Sequence, residues 1–208
     1  MDEGISGVLG GYDVSRETTE KLQQYVDLLR KWNPHINLVS KSTLADAWVR
    51  HISDSLQLIQ WGGEKDAVWV DVGSGGGMPG IPCAIFLQEK SPDSRVHLVE
   101  SDQRKATFLR TVSRETKTPL QVHPMRIEKY TAGTADVLTA RALAPLSDLL
   151  GHAERLLAPN GKCLFLKGAN HMIEVEEARK TWHFNVIAHQ SRTGAESAVL
   201  EIGDIRRA

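Results

Sequence analysis

Three glycines at alternate positions, Gly73, Gly75 and Gly77, follow an apolar run that carries a single acid, Val68-Trp69-Val70-Asp71-Val72. Glycine accepts positive φ and has no side chain in the way, so such a turn lets a backbone come into contact with a bound ligand. Beyond the carboxyl end of a parallel strand, that contact is made with a nucleotide-like ligand. Two common forms of the motif do not fit. The sixth position of a dinucleotide fingerprint, G-x-G-x-x-G, holds Met78, and no Gly-Lys-Ser or Gly-Lys-Thr marks a phosphate-binding loop. What remains is Asp71-x-Gly73-x-Gly75-x-Gly77, a loop for an adenosine-type ligand.

Further charged residues stand at predicted strand ends. Glu100 closes Val96-His97-Leu98-Val99-Glu100. A carboxylate there accepts two hydrogen bonds from ribose hydroxyls and disfavours a 2′-phosphorylated ligand; the plain alternative is a solvated acid. Arg141 follows the apolar run before Ala142. It is placed to hold a ligand carboxylate or a phosphate, or to pair with Glu100 or Asp136, and an idle charge beside an apolar strand is costly. Lys167, in Leu166-Lys167-Gly168, carries the same argument more weakly. Arg50 and His51 share a predicted helix, either at a pocket mouth or, for His51, as a core histidine on the apolar stripe. Asp54 pairs with Arg50 or orients His51. Arg126 is a further phosphate-contact candidate, and Trp61 and Trp182 are either core or base-stacking residues.

The elements that must position these groups are read from periodicity. Ser15 caps a helix over 16–32, ended by Asn33-Pro34. A second helical stripe runs over 43–60 and closes at Trp61-Gly62-Gly63. From Val68, strands near 68–72, 95–100, 119–123, 136–141 and 161–167 alternate with helices near 79–90, 102–117 and 145–158. This rhythm predicts a parallel α/β sheet with right-handed crossovers. A helix over 171–180 then leads to strands near 183–190 and 197–203 joined through Gly194, an antiparallel hairpin. The division is an N-terminal helical extension, 1–62, and a ligand-binding domain, 63–208, packed as one unit. Residues 1–14 are expected to be loosely held.

The whole chain sets bounds. It has 208 residues, a net charge of -1 and two cysteines, Cys83 and Cys163, without metal-ligand spacing. No global basic field advertises nucleic acid, although a local patch can serve. The basic residues Arg104, Lys105, Arg110, Arg114 and Lys117 spread around one helix as a solvated surface. A cytoplasmic chain, without a membrane span, a metal or a disulfide framework and monomeric by default, is the expectation.

The loop Asp71 to Gly77 resembles motif I of the class I S-adenosylmethionine-dependent methyltransferases. That resemblance implies a Rossmann-like, mostly parallel seven-stranded sheet with an antiparallel terminal hairpin, and adenine near Ile127 and Glu128. Four stretches resemble one family more narrowly: Lys31-Trp32-Asn33-Pro34-His35-Ile36-Asn37-Leu38-Val39-Ser40, Arg50-His51-Ile52-Ser53-Asp54-Ser55-Leu56, Gly73 to Pro82, and Thr139-Ala140-Arg141-Ala142. In this order they are similar to the glucose-inhibited division protein B family, bacterial methyltransferases that modify a guanine of 16S ribosomal RNA at N7. The resemblance implies cofactor contacts at Gly73, Met78, Ile127, Glu128 and Arg141, it matches Lys167 to a family lysine, and with an RNA substrate it makes Arg50, His51, Arg126 and Lys167 RNA-contact candidates.

The implied chemistry needs no general base, because guanine N7 carries a lone pair and no proton; the work is positioning and desolvation. The sequence lacks the Asn-Pro-Pro-Tyr or Asp-Pro-Pro-Tyr run of exocyclic-amine enzymes and a Pro-Cys nucleophile after the fourth strand. Arg141 and Lys167 are therefore orienting candidates. Two other readings remain: a class I methyltransferase for another substrate, and a non-catalytic ribosome-assembly module.

Overall fold

The computed structural model describes residue 9, residues 11–62 and residues 66–208. The expectation of loose packing for residues 1–14 falls mostly outside these. Helix α1 (Arg16–Ile36) opens at Ser15, whose side chain accepts from the Thr18 N–H at 3.2 Å. It outruns its predicted end by passing through Pro34. Pro34 lies in the exposed last turn, where the carbonyl it leaves free faces water. The stop is made by Asn33 and Asn37. Asn37 takes φ 47 and donates its N–H to the Asn33 carbonyl at 3.0 Å, and the buried Asn33 side chain accepts from Val39 N–H at 2.9 Å.

The helix predicted over 43–60 is not continuous. It consists of a turn at Lys41–Leu44, a π-helical stretch at Trp48–Ser53, a short α turn at Asp54–Leu56 and a 3-10 turn at Gln57–Gln60. Hydrophobic periodicity reports the buried face but is blind to which carbonyl each N–H chooses. Here the Ser55 hydroxyl takes the His51 carbonyl at 2.6 Å, and the wide turn presents Arg50, His51 and Asp54 sideways. π turns inside helices recur at functional sites for this reason.

The sheet contains β1 (Val68–Val72), β2 (Arg95–Val99), β3 (Gln121–His123), β4 (Ala135–Arg141), β5 (Leu157–Lys167), β6 (Trp182–Gln190) and β7 (Ala198–Arg207). Its order is β3-β2-β1-β4-β5-β7-β6, with β7 antiparallel between β5 and β6. The crossovers are α2 (Gly80–Lys90), α3 (Gln103–Thr116), α4 (Leu146–Leu156) and α5 (His171–Ala178). This is the expected α/β architecture, hairpin included. On one face, Leu22, Tyr25 and Leu29 of α1 share a core with Ile81, Ile85, Phe108 and Leu109. On the other, α4 packs Leu149 and Leu150 against Leu138, Phe165 and Leu200. The strand order reverses between β1 and β4, and the crevice at that switch point is where this architecture takes ligands.

Candidate functional site

The glycine loop leaves β1 in the left-handed region, with φ 66 at Gly73, 56 at Gly75 and 94 at Gly77. The Gly73 and Ser74 N–H groups donate to the Val99 carbonyl at 2.9 and 3.2 Å, which ties the loop to β2. A Cβ on Gly73 would overlap Leu143, and one on Gly77 would overlap Ile81 and Leu109. At Gly75 a Cβ would meet only the Gly73 carbonyl at 3.8 Å, so this residue faces open space. That space is a cavity of about 1020 Å³ bounded by Gly73, Gly75, Met78, Glu100, Ile127, Glu128 and Arg141. Seven of the nine predicted cofactor residues thus meet at one cavity.

Asp71 and Gly77 do not. Asp71 is fully buried beneath the loop, where its Oδ1 accepts from Thr139 Oγ1 at 2.8 Å. Among the described residues its Oδ2 has no hydrogen-bond partner, and it lies beside Gly80 at the start of α2. Burial pushes this carboxyl up to about 7, against the pull of the Thr139 hydroxyl. Asp71 therefore braces the loop from behind, and Gly77 packs it onto α2 and α3. Asp71 is a residue of β1, and a strand side chain points to a sheet face, not along the crevice.

Glu100 is buried, and both of its oxygens are fixed. Oε2 accepts from Gly75 N–H and Oε1 from Asp102 N–H, each at 2.8 Å. The solvated-acid alternative is excluded by this burial. Each carboxylate oxygen keeps a lone pair, so the group is held in place with capacity to accept ribose hydroxyls.

Ile127–Lys129 forms a 3-10 turn on the far wall. Arg155 of α4 grips it from outside, donating to the Tyr130 and Ile127 carbonyls at 2.7 Å each. Below it, His97 Nδ1 lies 2.8 Å from the Tyr130 hydroxyl and 3.2 Å from His123 Nε2. Burial pulls both histidines below their ordinary range. A wall braced this way suits a flat purine.

Arg141 joins β4 to the broken helix. Its NH1 donates to the Arg50 carbonyl at 3.1 Å and pairs with Asp54 Oδ2 at 3.3 Å; its NH2 donates to His51 Nδ1 at 2.9 Å. The ion-pair partner is thus Asp54, not the anticipated Glu100 or Asp136. Asp136 instead accepts from Val68 N–H. Arginine only donates, so His51 Nδ1 must accept, which leaves Nε2 protonated against Thr43 Oγ1 at 3.1 Å. Burial first, then the charges of Arg141 and Arg50, pull His51 down to about 4, so it is neutral. His51 is both a buried residue and part of a cavity wall. Asp54 also accepts from Gln57 and Thr193, which extends the network to the β6–β7 turn.

A second cavity, about 730 Å³, opens on the other side of Arg141. It shares Leu38, Val39 and Arg141 to Ala144 with the first, and adds Arg50, His51, Asp54, Lys167 and Glu174. The dividing segment is held in an uncommon conformation, with Ala142 at φ 49. Lys167 Nζ donates to the Ala144 carbonyl at 2.8 Å and pairs with Glu174 Oε2 at 2.7 Å. Of the four RNA-contact candidates, Arg50, His51 and Lys167 line this cavity, whereas Arg126 lines the first.

Trp61 stacks on His189, with centroids 4.2 Å apart, and Trp182 is buried with Arg207 over its ring. Burial leaves Trp182 no free face for a base, while Trp61 is half-buried with one face on His189. The sequence reading missed Arg155 and Glu174, whose helices gave no motif, and Tyr25, which lies on an apolar stripe yet donates to the Gly76 carbonyl at 2.7 Å. Among the described residues, no group of three or more His, Cys, Asp or Glu is placed to hold a metal, and no helix is long and apolar enough to cross a membrane.

The cradle fits S-adenosylmethionine: an open glycine face, a pinned buried carboxylate and a braced wall for a purine. Comparison with known proteins agrees. The family model GidB, described as rRNA small subunit methyltransferase G, matches residues 18–201. Ribosomal RNA small subunit methyltransferase G of Cereibacter sphaeroides is 49% identical over 204 residues, covering 97% of each chain. That of a Ruegeria species is 50% identical over 195 residues, covering 94% of this chain and 95% of the relative. Among solved structures, ribosomal protein L11 methylase from Lactobacillus delbrueckii subsp. bulgaricus superposes with TM-score 0.59 at 18% identity, over 74% of this chain and 78% of the other. A TehB-like SAM-dependent methyltransferase from Corynebacterium glutamicum gives 0.56 at 14% identity, over 87% and 98%. These two show the fold.

Proposed function

Because the chain belongs to the rRNA small subunit methyltransferase G family, we propose that it methylates N7 of one guanine of 16S ribosomal RNA, using S-adenosylmethionine, in the cytoplasm, as a monomer acting on the assembled small subunit. S-adenosylmethionine, when bound, supplies a sulfonium methyl that the N7 lone pair displaces in line: the S–C bond breaks as the N–C bond forms, positive charge passes to the purine, and no proton leaves.

The chain's own residues do the positioning. Gly73 and Gly75 admit the donor, Glu100 takes its ribose, and Ile127 and Glu128 bound its purine. The observation that carries N7 over a proton-bearing acceptor is the state of the groups around Arg141. His51 spends Nδ1 on Arg141 and Nε2 on Thr43, and Asp54 is shared among Arg141, Gln57 and Thr193. Neither is left to act as a general base, and an N7 acceptor needs none. Asp54 also offsets the charge of Arg141, so the charge that grows on the purine meets a balanced wall.

The test is mass mapping of 16S ribosomal RNA from cells with and without the gene. One 7-methylguanosine is expected to disappear from the strain lacking it. If none does, the acceptor assignment is wrong. Titration calorimetry with S-adenosylmethionine separates an enzyme from a binding module, because a module that has lost the donor site gives no heat.

A further inference from the structure

The second cavity contains one ion pair that the positioning of the donor does not use. Lys167 stands at the end of β5 with its side chain 9% exposed, and Glu174 is in the first turn of α5. Both are anchored to the segment that separates the two cavities: Lys167 to the Ala144 carbonyl and Glu174 Oε2 to the Leu146 N–H at 2.9 Å. Two of the three Lys167 N–H groups are thereby used, and the third makes no hydrogen bond among the described residues. Glu174 Oε2 takes both of that carboxylate's contacts, and Oε1 makes no hydrogen bond among the described residues.

We propose that this pair reads the acceptor base, with Glu174 Oε1 accepting from guanine N1–H and the 2-amino group and Lys167 donating its third N–H to O6. The inference rests on the guanine reading of the preceding subsection. Guanine's Watson–Crick edge carries two adjacent donors and one acceptor, and a fixed carboxylate beside a fixed ammonium is their complement. Adenine presents an acceptor at N1 and a donor at N6, the reverse order, so both members of the pair would be left unmatched, and such mismatches, once a bound base shuts out water, cost factors of up to about 10⁴ in selectivity. A backbone phosphate is a poor occupant, because the carboxylate cancels the lysine charge and repels the anion. Arg50, exposed at the same cavity, is the better phosphate partner. Glu174 is thus a specificity residue and Lys167 its partner.

Glu174→Gln is the informative variant. Its carbonyl can keep the Leu146 and Lys167 contacts, while the free oxygen becomes an NH₂ that faces guanine's donors. The assay uses small subunits reconstituted with guanosine or inosine, which lacks only the 2-amino group, at the target position. For the unaltered chain, kcat/KM is expected to be roughly 10-fold higher with guanosine, as for the loss of one base-edge contact. For E174Q the ratio is expected to fall to about one or below, with S-adenosylmethionine affinity unchanged. A purely structural Glu174 would slow both substrates alike, and an E174Q ratio equal to that of the unaltered chain overturns the proposal. If the unaltered chain makes no 7-methylguanosine on guanosine subunits, the guanine reading falls and takes the pair's role with it.

Discussion

Glu100 holds the loop with one carboxylate and, in the proposed reading, takes the ribose with the same group. It accepts from Gly75 and Asp102, fixing the glycine turn before any ribose arrives. Glu100→Gln sets an NH₂ against one of two backbone donors and removes the charge that strengthens the rest. A charge-assisted contact of this kind is worth ~1.5–3 kcal/mol. S-adenosylmethionine affinity is therefore expected to fall roughly 10- to 100-fold by calorimetry; an unchanged affinity would remove Glu100 from the ribose site. His51 gives a pH-dependent prediction. Its folded pKa of about 4 lies below the ordinary value of about 6.5, so between these limits only the unfolded chain takes up the proton. Stability from this residue is thus present above about pH 6.5 and declines as pH falls toward 4. His51→Asn, which keeps an acceptor for Arg141, removes this dependence, so the gap in unfolding free energy between the two chains is expected to narrow from pH 7 to pH 5. An equal gap at both pH values would mean that His51 titrates normally. At this scale the sequence was informative where a charge ends an apolar strand, as at Glu100 and Arg141. It was silent on Arg155 and Glu174, because a charged residue on a helix has the same sequence signature whether it faces solvent or a cavity.

The elements matter chiefly through one join that periodicity concealed. Tyr25 falls on the apolar stripe of α1 and is fully buried, yet its hydroxyl donates to the Gly76 carbonyl in the glycine loop. The predicted helical extension is therefore a structural support of the donor cavity. Leu38, just past the end of α1, reinforces it by packing on Gly76. Tyr25→Phe leaves the packing and strands a buried carbonyl, which costs ~1–2 kcal/mol. The thermal midpoint is expected to drop by several degrees, and S-adenosylmethionine affinity to weaken a few-fold as the loop loosens. A fall in stability with no change in affinity would show that α1 supports the core but not the loop. Strand order and the terminal hairpin were legible because burial imposes alternation on strands and a crossover length on helices. The break in the helix over 41–60 was not, because a π turn leaves the apolar stripe nearly intact while it rotates Arg50, His51 and Asp54 toward Arg141.

At the scale of the whole molecule the balance of charge decides how the chain meets RNA. Net charge is -1, and many cations are already paired on the surface, among them Arg104 with Asp102 and Arg114 with Glu115. The basic residues that line the two cavities without an ion pair among the described residues are few: Arg50, Lys105 and Arg126. Three phosphate contacts on single-stranded RNA correspond to a slope of about -2 in log affinity against log salt, and to weak binding at physiological ionic strength. The proposed reading then asks recognition to come from shape, with the target guanine expected to be presented by RNA folded in the assembled subunit. Protein-free 16S RNA and intact small subunits should differ accordingly. At matched salt, kcat/KM is expected to be at least roughly 10-fold higher on subunits, the difference lying mainly in KM, because the acceptor cavity is the same in both cases. The salt slope on free RNA is expected to stay near -2, and Arg50→Ala or Arg126→Ala to reduce it by about 0.7 each. Equal methylation of the two substrates, or a slope several times steeper, would mean that a basic surface outside these cavities carries the RNA.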